Sequence, residues 1–459
     1  MNTLQTPQKV GFMLAPLLMA LSFNVVATGS TIPHTFSAGS TASASEVNAN
    51  FTALENDINS LQSSVSGLDG STTSVTVDCD DDADGLQNTL DANSATRNTL
   101  EIDVSGSCNP IGITRSNVKI YTSGTADITG DGTAPISSFP AMAAVAVVGA
   151  QNVKIDGVSL DGGNATDTAG IALSNGAAVT RSNLVLSGAP AEQYQANVFN
   201  NSTLVLGGNV DIDGDFGVAV EQSSSLITFG SGNDIDATNS TEPEAIKVVG
   251  GSSVELNDAI NITGNIEIDT AYLRAEGLIL SGTAYVSNGG TLALREENTH
   301  SLGAIELSSK SSAELEKTAI TGNANVYGSA LSLDTSSVVS GSTTASVGAH
   351  VYIDETSSVG AITVRHSGLT VNGGTIGTAE FNGFSVGTIT GAATASSGIT
   401  VTDSNIVILG TTTLGSGTIS TTGAAAAVFI GGSVDDSSAT LTCNSGRFIA
   451  NKTLDTACP

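Results

Sequence analysis

Tryptophan is absent from this 459-residue chain, and aromatic residues make up only 4% of it. Charge is scarce as well, at 13%, and nearly all of one sign: 44 Asp and Glu against 14 Lys and Arg, a formal charge of -30. A nucleic-acid binder needs a basic surface to neutralise phosphates, so this composition excludes that class. Disorder is excluded on other grounds, because 40% of the residues are apolar and a core can be built. What takes the place of bulk is small residues: 52 Gly, with Ser, Thr and Ala filling most of the polar stretches.

Long apolar runs are also missing, with one exception at the start. Lys9 precedes an apolar stretch from Val10 to Leu21, and Val25-Val26-Ala27 supplies small residues before a cleavage point after Ala27. This is the form of a secretory signal, residues 1–27. Gly11 and Pro16 interrupt the run, which is shorter than the roughly 20 residues a membrane span needs. No membrane span is expected after cleavage, and no Cys lies near the cleavage point to carry a lipid. The expected destination is secretion or the cell surface, with the periplasm as the other compartment such a signal serves.

Cysteine is rare, at four. Cys79 and Cys108 lie near the start of the mature body, Cys443 and Cys458 at its end. No Cys-x-x-Cys or His-x-x-x-His spacing suggests zinc. Three pairings exist on paper. In a long rod only the two local bridges can form, because the Cα atoms must come within about 7 Å.

Residues 43–70 read as a helical stalk behind a linker at 28–42. Ser43-Ala44-Ser45-Glu46 has the form of a capping box, in which two side chains satisfy orphan amides. Val47, Phe51, Leu54, Ile58, Leu61, Val65 and Leu68 follow at alternating steps of 4 and 3. That is a heptad seam, the pattern of an oligomerising coiled coil. Val or Ile at one seam position with Leu at the other favours two strands, and Phe51 departs from that rule. The segment from Ile32 to Leu54 resembles a leader of exported bacterial proteins and phage-tail-like fibres. That resemblance implies a homotrimer.

From Val75 onward, short apolar-polar-apolar triplets recur, each followed by a turn rich in Gly, Asn, Asp or Ser. One triplet type starts at Leu184, Leu204, Leu226, Val254, Leu273, Leu292, Ala313, Leu331, Val351, Leu369, Phe384, Ile406 and Ala427, at similar but unequal steps. A second triplet often follows and ends in Gly, as in Val210-Asp211-Ile212-Asp213-Gly214 and Ile260-Asn261-Ile262-Thr263-Gly264. A period of roughly 20 residues with strand-length units is the mark of a stacked solenoid. The expected fold class over 71–459 is therefore all-β, a parallel β-solenoid. No coil buries its apolar face alone, so stacking must supply the core. At about 4.8 Å per coil, some 15 coils would make a rod roughly 70 Å long.

At the start of this body, Val75-Thr76-Val77-Asp78-Cys79 reads as a strand, Leu86 to Leu90 as a short helix, and Leu100 to Cys108 as the next strand. This arrangement resembles the N-terminal cap of right-handed parallel β-helix proteins of the pectin-lyase-like class. The resemblance implies a helix plugging the first coil. It also brings an expectation of pectate lyases, polygalacturonases and tailspike glycosidases. Their motifs are missing here: His34, His300, His350 and His366 are each followed by a residue other than Gly, and no Arg-Ile-Lys occurs. Glu296 and Glu297, beside Arg295 and near His300, form the densest polar cluster of the middle. Asp435-Asp436 lies far from comparable partners.

Two acidic patterns are candidate cation sites. Asp80, Asp82, Asp84 and Asp91 fit an Asp-x-Asp-x-Asp-Gly loop that resembles a calcium loop, with Asp rather than Glu last. Asp84 also suits the N-cap of the short helix. Asp211, Asp213, Asp234 and Asp236 repeat one pattern at a separation close to the coil period. Stacking would bring their like charges together, bridged by calcium or merely solvated. The expected function is that of a non-catalytic, exported, oligomeric fibre or adhesin that meets a glycan or cell-surface ligand. Tyr272, Tyr285, Tyr327 and Tyr352 are its few stacking platforms. The alternative is a polysaccharide-active β-helix enzyme, marked by a groove with two facing carboxylates and a nearby basic residue. A weaker third reading is a water-ordering face built on Thr370, Thr375, Thr388 and Thr390.

Overall fold

A computed structural model describes residues 43–66, 72–95, 98–137, 142–163, 168–188, 193–237, 243–295, 298–414, 418–435, 440–450 and 454–457. The signal, the linker, Leu68, Glu296, Glu297, Asp436 and Cys458 lie outside them, as do the Leu61, Val65 and Cys443 side chains. The expected Cys443–Cys458 bridge therefore falls outside the described residues. The chain divides into two compact units, Met1–Gly70 and Ser71–Pro459.

The first unit contains helix α1, Ala44–Ser66. It opens where the Val47 amide donates to the Ser43 carbonyl, at 3.2 Å. Three of its seam residues are exposed, Phe51 at 65%, Leu54 at 44% and Ile58 at 50%, and Val47 is half-buried.

The second unit is a parallel β-solenoid of about 16 turns. Three ladders of strands run its length. The first begins at Thr73–Asp78 and passes through Leu100–Cys108 and Val118–Tyr121 to Arg447–Ala450. The second includes Ser159–Asp161, Asn233–Ala237 and Ile260–Thr263. The third runs from Ile111–Ile113 through Glu244–Val249 and Asn265–Asp269 to Thr440–Cys443. Coil after coil adds a strand to each ladder, so inward side chains meet their counterparts one coil above and below. Leu204, Leu226, Val254, Leu273, Leu292, Ala313 and Leu331 form one such buried column.

Most triplet starts named from the sequence are true register partners, and three are not. The column continues from Leu331 through Val351 and Leu369, then takes Gly387 rather than Phe384. Phe384 sits instead in a left-handed turn, 76% exposed. Gly387 keeps the inward place because the ring of buried Phe381 fills the space a side chain would occupy, 2.6 Å from the position of a Cβ. At the ends, Val428 replaces Ala427 and Val179 replaces Leu184, by one residue and by one ladder respectively.

The corner before the first ladder explains much of the small-residue content. Successive left-handed residues make the bend, as at Asn200 and Asn201 or Gly250 and Gly251. Asn and Gly carry the least penalty there. A buried Ser follows. Its hydroxyl accepts the corner amide of the coil below: Ser202 N donates to Ser224 Oγ, and Ser224 N to Ser252 Oγ, each at 3.2 Å. Ser337 to Ser357 and Ser385 to Ser404 repeat the device. These amides would otherwise be buried without partners.

Both ends are covered. Helix α2, Gly85–Ala92, buries Leu86 and Leu90 over the first coil. Cys79 and Cys108 are bridged, with Cα atoms 5.0 Å apart. At the far end Leu454–Ala457 pairs antiparallel with Arg447–Ala450, covering a strand edge that would otherwise stand open.

Candidate functional site

The acidic loop at the cap is held by protein donors. Asp80 Oδ1 accepts the Ser107 amide at 3.1 Å, and Asp82 Oδ1 the Asp84 amide at 3.1 Å. Asp84 accepts from Asn109 Nδ2 at 2.8 Å, and Asp91 from Gln87 Nε2 at 2.8 Å. Asp84 does occupy the N-cap position of α2, but its side chain makes no cap bond. The four carboxylates thus serve four different contacts around the cap.

The second acidic pattern stacks in the expected register. Ile212 lies over Ile235 in the core, Asp211 over Asp234 and Asp213 over Asp236 on the outer surface. Burial, then the neighbouring carboxylates, raise the Asp211 and Asp234 pKa values. Among the described residues no group of three or more His, Cys, Asp or Glu is arranged to hold a metal ion.

Of the polar cluster near His300, the described members are Arg295 and His300, and both make contacts within the solenoid. His300 is buried, and its Nδ1 accepts the Leu278 amide at 3.0 Å. Its Nε2 therefore carries the proton and donates to the Arg295 carbonyl at 2.7 Å. Burial lowers the His300 pKa. Arg295 pairs with Glu314 and Glu316, at 3.0 and 3.4 Å. The threonines do not share one face: Thr370 and Thr388 stack on the first ladder beside Thr390, while Thr375 belongs to the second.

The third ladder carries a cleft that the sequence did not single out. It has a volume of about 360 Å³, and its lining includes Glu244, Asn265, Glu267, Tyr285, Glu306 and Ser308. Glu267, Tyr285 and Glu306 are register partners on three consecutive coils, all on the outward side. Lys247, one coil earlier, brings its ammonium to 3.7 Å from Glu267. Glu244 accepts a hydrogen bond from the Tyr194 hydroxyl, whose pKa is pushed up by burial and by that contact. Burial raises the Glu267 pKa, Lys247 opposes this, and the charge and hydrogen bond of Glu244 raise it further.

Glu244 and Glu267 are thus the facing carboxylates with a basic neighbour that would mark a polysaccharide-active site. That chemistry further requires the two carboxyl groups to stand about 5–5.5 or 6.5–9.5 Å apart. Only Tyr285 of this cleft was singled out in the sequence. The glutamates lie in separate repeats, and their meeting depends on register. Comparison with protein-family models, curated proteins and solved structures finds no match.

Proposed function

We propose that this protein is an exported, oligomeric fibre, in which the α1 seam joins copies of the chain and the solenoid serves as a spacing and attachment rod. The observation that carries the reading is the exposed seam. Phe51, Leu54 and Ile58 offer apolar surface at heptad spacing, and the chain covers none of the three more than about half. A trimer is the form the leader's resemblance favours. A long regular surface supports the attachment role, because repeated weak contacts add up when several rods are tied together. Right-handed winding, kinship with the pectin-lyase-like class and delivery by the residue 1–27 signal belong to the same reading. Among the described residues no helix is long and apolar enough to cross a membrane.

The test is sedimentation velocity on the mature chain and on Ile58→Asp. The unmodified chain is expected to sediment as an oligomer and the variant as a monomer with an unchanged β-rich spectrum. Identical monomers would end the fibre reading.

A further inference from the structure

The third-ladder cleft is an acceptor-rich hollow on an acidic rod, and its chemistry specifies what it holds. Glu306 has no basic partner within ion-pair distance among the described residues, whereas Lys119, Lys247, Arg274 and Arg295 each pair with other carboxylates. The Tyr285 ring, 41% exposed, stands between Glu267 and Glu306 in the ladder. A phenol ring flanked by carboxylates attracts a cation through both its face and its neighbours. Lys247 lies one coil earlier and outside the cleft lining, and at 3.7 Å from Glu267 it is too distant for a short hydrogen bond. Ser287 and Ser308 add hydroxyls that can accept from a bound donor. The charge of -30 draws cations to the surface as a whole.

We infer that the cleft formed by Glu244, Glu267, Tyr285 and Glu306 binds an alkylammonium group, with its charge between the Glu267 and Glu306 carboxylates and its chain against the Tyr285 ring. The volume of about 360 Å³ suits one short alkyl chain rather than a polymer. This site is independent of the α1 seam, so each stands or falls by its own experiment. A neutral glycan and a bare divalent cation are the competing occupants. The glycan would find donors in the Tyr285, Ser287 and Ser308 hydroxyls but would leave the carboxylate charge uncompensated, and the cation would need three or more converging ligands.

The experiment is calorimetric titration of the full mature chain with cadaverine, with maltohexaose and calcium chloride in parallel. Cadaverine is expected to bind saturably, and added salt to weaken it. Glu306→Gln and Glu267→Gln are expected to weaken it roughly tenfold each, the effect of about 1.4 kcal/mol. Glu380→Gln, on the same ladder but outside the cleft, is expected to leave it unchanged. Thermal melts of all three variants check that the solenoid is intact. No cadaverine binding, or equal binding by Glu306→Gln and the unmodified chain, overturns the assignment. So does saturable binding of maltohexaose or calcium that excludes cadaverine.

Discussion

Arg181 is the residue that departs furthest from the logic of the core. It occupies an inward position between Ile155 and Leu206 on neighbouring coils, fully buried. Among the described residues none of its three guanidinium nitrogens has a hydrogen-bond partner. Burial lowers its pKa well below the ordinary arginine range, to about 9. A buried charge without a partner costs several kcal/mol. Arg181→Met is therefore expected to stabilise the solenoid, by about 1–4 kcal/mol in denaturant unfolding. The pH dependence gives a second sign. Below about pH 9 both states carry the charge and the full cost stands. Between the folded and the ordinary pKa the unfolded chain still holds the proton, so stability rises with pH. Arg181→Met should lack that rise, and an unchanged or lower stability would show that the guanidinium has found a partner.

The stacked aspartates make the opposite prediction with pH. Asp211 and Asp234 have folded pKa values above their ordinary ones, through burial and then repulsion from Asp213 and Asp236. The favourable state is the protonated one, so stability is lost as pH rises through the folded values. Asp234→Asn should stabilise at neutral pH by roughly 0.2–1 kcal/mol, because it removes a half-buried charge, one oxygen of which is shielded from solvent, stacked beside Asp236 and Asp211. Below about pH 3.5 the gain should vanish. A rise in Tm on adding calcium that Asp234→Asn abolishes would instead assign the row to a bridging cation.

At the scale of elements, legibility followed burial. The first-ladder column from Leu204 to Leu369 could be read because each inward position is apolar and successive coils are similar in length. Reading failed where volume was exchanged between neighbours, as when Phe381 fills the place of the Gly387 side chain. It failed again at the corner, since a buried Ser looks like any turn Ser. The cleft was illegible for a related reason: Glu267, Tyr285 and Glu306 are a whole coil apart along the chain, and only the register makes them neighbours. The cap was legible through the apolar Leu86 and Leu90 and the flanking Cys. Removing the Cys79–Cys108 bridge, which spans a sequence separation of 29, is expected to cost roughly 3–4 kcal/mol. Melts of Cys79→Ser/Cys108→Ser test this, and loss of cap protection in hydrogen exchange before the middle coils would locate the effect.

At the scale of the molecule, the scarcity of aromatics and the abundance of Gly, Asn and Ser have one cause. A slim solenoid needs little bulk within each coil and a sharp left-handed corner at nearly every turn. The solenoid ends are capped, at one end by α2 and at the other by the antiparallel strand Leu454–Ala457, so end-to-end growth through strand edges is blocked. The proposed fibre assigns association to α1 instead. The most direct measurement is the molar mass of the unmodified mature chain by multi-angle light scattering. A mass three times that of one chain, independent of dilution in the micromolar range, is the predicted result. A mass equal to one chain would contradict the account.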